Sequence, residues 1–176
     1  MTPLARHARF VTIGLLVLAA SGCGYSNSSS PGYTWGTTFR QDVRTIALPV
    51  FTTKSFYRGD ELRLTQALSN QIESRTPYKV VDRTSADTIL EGQIVKVDVG
   101  TVSQDPINAL PQEQLYTITI DFTWKDLRTG QILVERRGFE QTVTYYPGLG
   151  DGRFTGSQQA AEQLAAGIVD ELTANW

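Results

Sequence analysis

The chain has 176 residues, 40% of them hydrophobic, and a formal net charge of −2 at pH 7, which suits one domain with a substantial core. Its single histidine, His7, and its single cysteine, Cys23, both lie near the N-terminus. The rest of the chain therefore lacks the imidazole of Ser–His–Asp and Cys–His catalysis and the His or Cys ligands of almost all zinc sites. The acids are scattered singly, so we expect a protein that is not an enzyme and holds no metal or cofactor.

The N-terminal segment is typical of a secretory signal. Two arginines precede an apolar run over residues 10–20, which is too short for a membrane span because a spanning helix needs about 20 apolar residues. The run ends in small residues followed by Cys23, as in the lipobox of bacterial lipoproteins, except that Ala20 stands where Leu is usual. We expect removal of residues 1–22 and acylation of Cys23, which would anchor the protein to a membrane. The alternative is a secreted protein with a chance cysteine.

The chain that remains after this cleavage carries 14 basic and 18 acidic residues, so it has no general attraction for nucleic acid or anionic lipid. Residues 23–32 are rich in serine, which predicts a flexible tether. Residues 33–176 have the length and the apolar content of a single α+β domain.

The first part of this domain reads as a strand, a helix and a second strand. We predict a strand over residues 43–51, in which Pro49 indicates an edge or a bulge. Asp60 then caps a helix over residues 61–74, whose apolar residues recur every four positions; the Arg-Gly-Asp tripeptide that ends at Asp60 is alternatively an adhesion motif. A short strand over residues 78–82 completes a βαβ unit with parallel strands.

Three long strands follow. The first covers residues 88–101, with Gly92 as a candidate bulge. Residues 114–125 alternate most regularly, with one aromatic and aliphatic face and one threonine-rich face, as in a half-buried antiparallel strand. A hairpin turn with Gly130 in a left-handed conformation leads into the third strand, residues 131–146.

A glycine-rich loop over residues 145–154 precedes the last helix. Arg153 occupies the place of the third glycine of a G-x-G-x-x-G motif, so the loop is read as mobile rather than phosphate-binding. Ser157 then caps a helix with an apolar stripe. The predicted fold is α+β, in the order β-α-β-β-β-β-α, with both helices on one face of a mixed four- to five-stranded sheet.

Taken together, these patterns resemble the LptE family of lipopolysaccharide-assembly lipoproteins. The resemblance rests on the lipobox and the Gly-Tyr after Cys23, and on segments that span nearly all of residues 23–176. These segments are VRTIALPVF, ELRLTQALSNQIE, ADTILEGQIVKVDV, LYTITIDFTW, GQIL and the final TANW.

The resemblance implies a two-helix, mixed-sheet lipoprotein on the periplasmic side of the outer membrane. It also implies that the chain sits as a plug inside the LptD β-barrel, and that the pair inserts lipopolysaccharide into the outer leaflet. Gly24, rather than Asp, after the anchor fits sorting to the outer membrane. Two alternatives stay open: a stand-alone periplasmic lipoprotein that binds a ligand or scaffolds an envelope complex, and a lipid-anchored hydrolase that uses carboxylates alone.

If such a protein touches lipopolysaccharide, its phosphates require exposed cations. The candidates on the predicted strands and loops are Lys96, Lys125, Arg128, Arg136, Arg137 and Arg153. Arg136 and Arg137 are adjacent in a strand and should point to opposite faces of the sheet. Several apolar residues lie an even number of positions from Arg137 and so share its face, which favours Arg136 as the residue that points outward. All six are alternatively ordinary solvated charges.

Overall fold

A computed structural model describes residues 39–150 and 152–173. The predicted signal segment, Cys23 and residues 23–32 lie outside this part. The described elements are β1 Thr45–Ala47, β2 Thr52–Thr53, α1 Asp60–Arg75, β3 Lys79–Val81, β4 Thr88–Gln104, β5 Pro111–Asp126, β6 Ile132–Tyr145, a 3-10 turn Pro147–Leu149 and α2 Arg153–Thr173.

The strands form one mixed sheet in the order β3-β1-β4-β5-β6, with β2 also beside β4. β1 runs parallel to β3 and to β4, and β4, β5 and β6 form an antiparallel meander. Helix α1 connects the first strands to β3, so the predicted βαβ unit is present. The α+β class and the order of elements are confirmed, with six strands in place of the predicted four to five.

The additional strand arises because the predicted strand over residues 43–51 is interrupted. β1 ends at Ala47, and the chain returns to the sheet only at β2, where Thr52 pairs with Gln93. Pro49 lies in the interruption, and it has no N–H group to donate to a neighbouring strand. Regular alternation over residues 43–51 would place Ile46, Leu48 and Val50 on one face of the sheet, but this pattern is lost after the break: Val50 is 53% exposed and Phe51 is buried.

The core lies between the sheet and the two helices. All five residues predicted for the inward face of β5 are buried: Tyr116, Ile118, Ile120, Phe122 and Trp124. The apolar stripes of both helices pack against them, as predicted; the buried members are Leu64, Leu68 and Ile72 of α1 and Ala161, Leu164, Ala165, Ile168 and Leu172 of α2. The opposite face of β4, β5 and β6 carries no helix among the described residues, and we call it the helix-free face.

The bulge predicted at Gly92 is wrong. The register of β4 against β5 shifts between Ile94 and Lys96, so the extra residue is Val95. Gly92 pairs regularly with Phe122, and a Cβ atom at this position would lie 2.1 Å from Cε1 of Phe51. The glycine is needed because a buried aromatic ring packs directly on the backbone.

Both predicted helix caps are wrong as well. Asp60 is the first residue of α1 and follows Gly59, whose φ of 97° is left-handed. Helix α2 begins at Arg153, so Ser157 lies inside it. Neither side chain is free to cap a helix end, because Ser157 Oγ donates a 2.6 Å hydrogen bond to Oδ1 of Asp60 in the protein interior.

Candidate functional site

The structure does not gather the six predicted cations into one site. Four of them form ion pairs with carboxylates: Lys96 with Asp98, Arg128 with Asp126, Arg136 with Glu171 and Arg137 with Glu135. Lys125 is exposed near the end of β5. A cation that already faces a carboxylate at close range is less available for a phosphate, because the new anion must compete with the existing one.

Arg128 stabilises a turn. Asp126 accepts hydrogen bonds from the backbone N–H groups of Arg128 (2.7 Å) and Thr129 (3.0 Å), and the Arg128 guanidinium contacts the same carboxylate at 3.1 Å. These donors, with the guanidinium first, lower the pKa of Asp126 to about 2. Arg128 Nη2 also donates to the carbonyl of Asp42 at 3.1 Å, which ties the β5–β6 turn to the segment before β1.

The predicted orientation of Arg136 and Arg137 is wrong. Arg136 lies opposite Phe122 in the sheet and so points to the helix side, where its Nη2 contacts Glu171 of α2 at 2.6 Å. The side chain of Arg137 is 81% exposed. The argument from strand alternation fails because β6 has a bulge before Phe139, where Gly138 adopts a φ of 64°. A bulge interrupts the regular alternation of side chains between the two faces.

Arg153 lies in a different environment, a small cleft at the start of α2. Its guanidinium stacks over the ring of Tyr57 at 4.6 Å from the ring centre. The cleft has a volume of about 160 Å³, and Arg58 and Arg63 line it as well. Arg63 lies over the ring of Phe154, also at 4.6 Å. We call this group of three arginines and its surroundings the arginine cleft.

A buried carboxylate forms the floor of the arginine cleft. Asp60 is 2% exposed and accepts hydrogen bonds from Tyr116 Oη at 2.7 Å and from Ser157 Oγ at 2.6 Å. Arg63 Nη1 contacts the same carboxylate at 3.1 Å. Burial, and then the hydrogen bond to Asp60, raise the pKa of Tyr116, so this hydroxyl remains a donor at neutral pH.

The arginine cleft carries three guanidinium groups against one carboxylate, and two of the three are partly held by aromatic rings. Such a cleft suits an anionic group, because Arg presents a planar set of donors that matches a phosphate. The residues that line it include no imidazole or thiol.

Of the cleft residues, the sequence interpretation identified only Arg153 as a candidate contact. Arg63 lies off the apolar stripe of α1 and was not singled out, and Arg58 entered only as part of a tripeptide. One feature of the sequence could have predicted that Asp60 is buried: it stands four residues before Leu64 and thus continues the buried stripe of α1.

The helix-free face is polar and rich in threonine. Thr117, Thr119 and Thr123 of β5 are half-buried there, and Oγ1 of Thr117 lies 2.8 Å from Oγ1 of Thr142 in β6. The charged residues on this face include Lys96 and Glu140, which both pair with Thr119 in the register. The face is an ordered polar surface without a cationic cluster.

Within residues 39–150 and 152–173, neither helix is long and apolar enough to cross a membrane. The same residues contain no group of three or more acidic, His or Cys side chains that could hold a metal ion.

Comparison with solved structures shows related folds at low identity. Protein CT253 from Chlamydia trachomatis is 8% identical with a TM-score of 0.54, and the match covers 76% of this chain and 97% of that one. The PelC dodecamer from Paraburkholderia phytofirmans is 12% identical with a TM-score of 0.50, covering 80% and 96%. The rare lipoprotein B from Shewanella oneidensis is 15% identical with a TM-score of 0.43, covering 72% and 95%. The first two likenesses show the fold alone.

The family comparison is more informative. No curated protein matches the chain. The family model LptE, described as "Lipopolysaccharide-assembly", matches residues 43–175, which include all the described strands and helices. The match confirms the family resemblance drawn from the sequence patterns and agrees with the prediction that the protein is not an enzyme. The chain therefore belongs to the LptE family of non-enzymatic lipopolysaccharide-assembly lipoproteins.

Proposed function

We propose that this protein is an outer-membrane lipoprotein, acylated at Cys23, that partners and plugs an LptD-type β-barrel during insertion of lipopolysaccharide into the outer leaflet. The observation that carries this proposal is the LptE family match over residues 43–175. In this reading the acyl groups hold the chain on the periplasmic side of the outer membrane, and the domain fills the barrel.

The helix-free face supports a position inside a barrel. The lumen of an outer-membrane barrel is polar and water-filled, so a plug needs a rigid polar surface rather than an apolar one. The three threonines of β5 and the charged residues beside them provide such a surface over a long, regularly paired hairpin.

We further propose that the arginine cleft is where this protein contacts lipopolysaccharide phosphates. Of the six cations that the sequence suggested, Arg153 is the one that lies beside two other arginines in a cleft. Lys96, Arg128, Arg136 and Arg137 are each engaged with a carboxylate and are weaker candidates. Lys125 stays a candidate, although the cleft does not include it.

Charge reversal tests both parts of the proposal. The full chain carrying Arg153→Glu is compared with Arg137→Glu as a matched control, since the Arg137 side chain is 81% exposed and does not line the cleft. Two readouts are scored separately: copurification with the barrel, and crosslinking to lipopolysaccharide. We expect Arg153→Glu to lower crosslinking several-fold while copurification is retained, and Arg137→Glu to leave crosslinking unchanged.

Two results would count against the proposal. If the unmodified protein does not copurify with the barrel, its proposed role as a plug is rejected, and a stand-alone periplasmic lipoprotein is favoured. Unchanged crosslinking in Arg153→Glu rejects the arginine cleft as a phosphate contact and leaves the barrel partnership standing.

A further inference from the structure

The outer edge of β6 has no neighbouring strand among the described residues. In the sheet order β3-β1-β4-β5-β6 this strand is the last, and it pairs with β5 alone. The backbone N–H and C=O groups that point away from β5 therefore have no strand to bond within residues 39–150 and 152–173. A row of such groups is a template for one kind of partner, an extended polypeptide strand.

Two contacts of Thr142 show which residues of β6 direct these groups outward. Its Oγ1 lies 2.8 Å from Oγ1 of Thr117, its partner in β5, and such close side chains are typical of antiparallel pairs that exchange no backbone hydrogen bonds. Its carbonyl accepts a hydrogen bond from the Gln141 side chain at 3.3 Å. Since bonded and non-bonded pairs alternate, the N–H and C=O groups of Glu140, Thr142 and Thr144 all point away from β5.

The first half of β6 is protected against pairing, and the second half is not. Natural proteins guard sheet edges with charged side chains and bulges. Both occur over residues 135–138, which contain the bulge at Gly138, and Arg136 Nη1 donates to the carbonyl of Glu135 at 3.2 Å. Residues 139–145 pair with β5 in unbroken register, include no proline and carry one charge. We call the outer side of residues 139–145 the open edge.

The other free edges of the described sheet are short or irregular. β2 has two residues and β3 has three. β4 pairs with β1 and β2 only in its first half, but its register against β5 shifts at Val95 and twice more beyond Thr101. Among the described strands, the open edge is therefore the longest regular stretch with a neighbour on one side only.

The side chains beside the open edge specify a polar partner that carries a cation. On the helix side, Gln141 donates to Gln163 of α2 at 2.9 Å. On the helix-free face, the Glu140 carboxylate is exposed and forms no hydrogen bond or ion pair with any described residue. Opposite charges directly across a strand pair stabilise it. The open edge therefore favours a strand that places Lys or Arg opposite Glu140.

A second copy of this chain does not supply that cation. If two β6 strands paired antiparallel about Thr142, each Glu140 would lie opposite Thr144 of the other copy. A pairing shifted toward Arg137 would include the bulge at Gly138, where regular alternation of the backbone groups is interrupted. The charges therefore favour a different polypeptide as the occupant.

We propose that the open edge of β6 binds an extended segment of another protein, which adds a strand to the sheet and places a Lys or Arg opposite Glu140. Main-chain hydrogen bonds supply the affinity of such pairing, and the side chains that flank the edge supply its specificity. This inference goes beyond the proposed function, since it involves neither the arginine cleft nor a lipid ligand.

Hydrogen exchange of the full chain in detergent micelles tests the proposal. The probe is a short synthetic peptide in which lysine alternates with threonine. Its control carries a methyl group on the backbone nitrogen of each lysine, so these nitrogens cannot donate. In the free protein we expect faster exchange at the N–H groups of Glu140, Thr142 and Thr144 than at those of Gln141 and Val143. The lysine peptide should slow exchange at the first three several-fold, and the methylated peptide should not.

Three variants separate backbone pairing from side-chain effects. Thr142→Pro removes an outward N–H group, which an edge strand tolerates, and should abolish the protection of Glu140 and Thr144 by the peptide. Thr142→Val is the matched control, because it changes the same side chain and keeps that N–H group, so the protection should persist. Glu140→Lys should weaken binding of the lysine peptide several-fold and strengthen binding of a peptide with glutamate in place of lysine.

Three results would overturn the proposal. Slow exchange at Glu140, Thr142 and Thr144 in the free protein at every concentration means that the chain itself covers the edge. Protection that grows with protein concentration means that a second copy is the occupant. Unchanged exchange with the lysine peptide, or equal protection by the methylated one, means that the edge does not pair with a strand. None of these readouts depends on Arg153 or on the barrel, so they are separate from the test of the proposed function.

Discussion

A single glycine fixes how the interrupted first strand returns to the sheet. A Cβ atom at position 92 would overlap the ring of Phe51. Because Phe51 is only 2% exposed, its ring cannot move aside freely to make room. We expect Gly92→Ala to lower the free energy of unfolding by about 1–3 kcal/mol through overpacking. Gly100→Ala in the same strand is the control, because nothing lies within 4 Å of its added Cβ. Equal urea midpoints for the two variants would show that Phe51 does not pack on the backbone.

Asp126 makes the stability of the fold sensitive to acid. Its pKa in the folded protein is about 2, below the ordinary value of 3.8, because Arg128 and two backbone N–H groups favour the charged form. Between these two pH values the unfolded chain binds more protons than the folded one, so the stabilisation is present above pH 4 and is lost as the pH falls toward 2.

The variant Asp126→Asn tests this effect. Its amide oxygen can still accept the backbone hydrogen bonds, but it has no charge to lose. We expect the melting temperature of Asp126→Asn to fall less steeply between pH 4 and pH 2 than that of the unmodified protein. Parallel curves over this interval would rule out the contribution of Asp126.

Individual residues also show where sequence reasoning stops. The burial of Trp124 follows from strict alternation in β5, and the structure agrees. The direction of Arg136 does not follow from alternation alone, because one bulge reverses the side on which the residues beyond it point. Gly138, inside the strand, was the local signal of this bulge. The bulge in β4 was misplaced for a similar reason: Val95 alternates in the sequence with Val97, so the pattern does not show that Val95 is the extra residue.

At the level of elements, a buried hydrogen-bond network joins α1, β5 and α2. Tyr116 and Ser157 both donate to the Asp60 carboxylate, and each comes from a different element. Removing one donor leaves the buried carboxylate with fewer hydrogen-bond partners. Tyr116→Phe and Ser157→Ala should therefore each lower the free energy of unfolding by about 1–3 kcal/mol. Urea denaturation measures both.

The double variant measures the coupling between these two donors, which should differ from additivity because they share one acceptor. Tyr145→Phe is the control. Its hydroxyl donates to Gln114, a neutral and half-buried partner, so its loss should cost less. Additive effects, or a Tyr145→Phe cost equal to that of Tyr116→Phe, would contradict a special role for Asp60.

The elements themselves were largely predictable because their periodicities are strong. Both apolar helix stripes and the long strands β4 to β6 follow from spacing alone. The helix starts were missed because Asp60 and Ser157 are common capping residues, and only the tertiary fold shows that they bond to each other. The arginine cleft was missed for the same reason, since its residues come from the loop after β2, from α1, from β5 and from α2.

For the molecule as a whole, the proposed membrane anchor is the feature on which location would depend. Cys23 is the single cysteine of the chain, so Cys23→Ser leaves no thiol to acylate. We expect this variant to incorporate no labelled palmitate and to remain uncleaved or to leave the membrane fraction. Cys23→Ala is a second variant that should behave alike. Label retained by either one would disprove the lipobox interpretation.

The position of β1 in the sheet has a consequence for the order of folding. β1 lies between β3 and β4, which both follow it in the chain, so it is synthesised before either neighbouring strand exists. The meander of β4, β5 and β6 pairs neighbours in sequence and closes short loops, which is kinetically favoured. We therefore expect β1 to join the sheet late, when it pairs with β4 on one side and β3 on the other. The first strand of the domain would then become protected last, which pulse-labelled hydrogen exchange can follow during refolding.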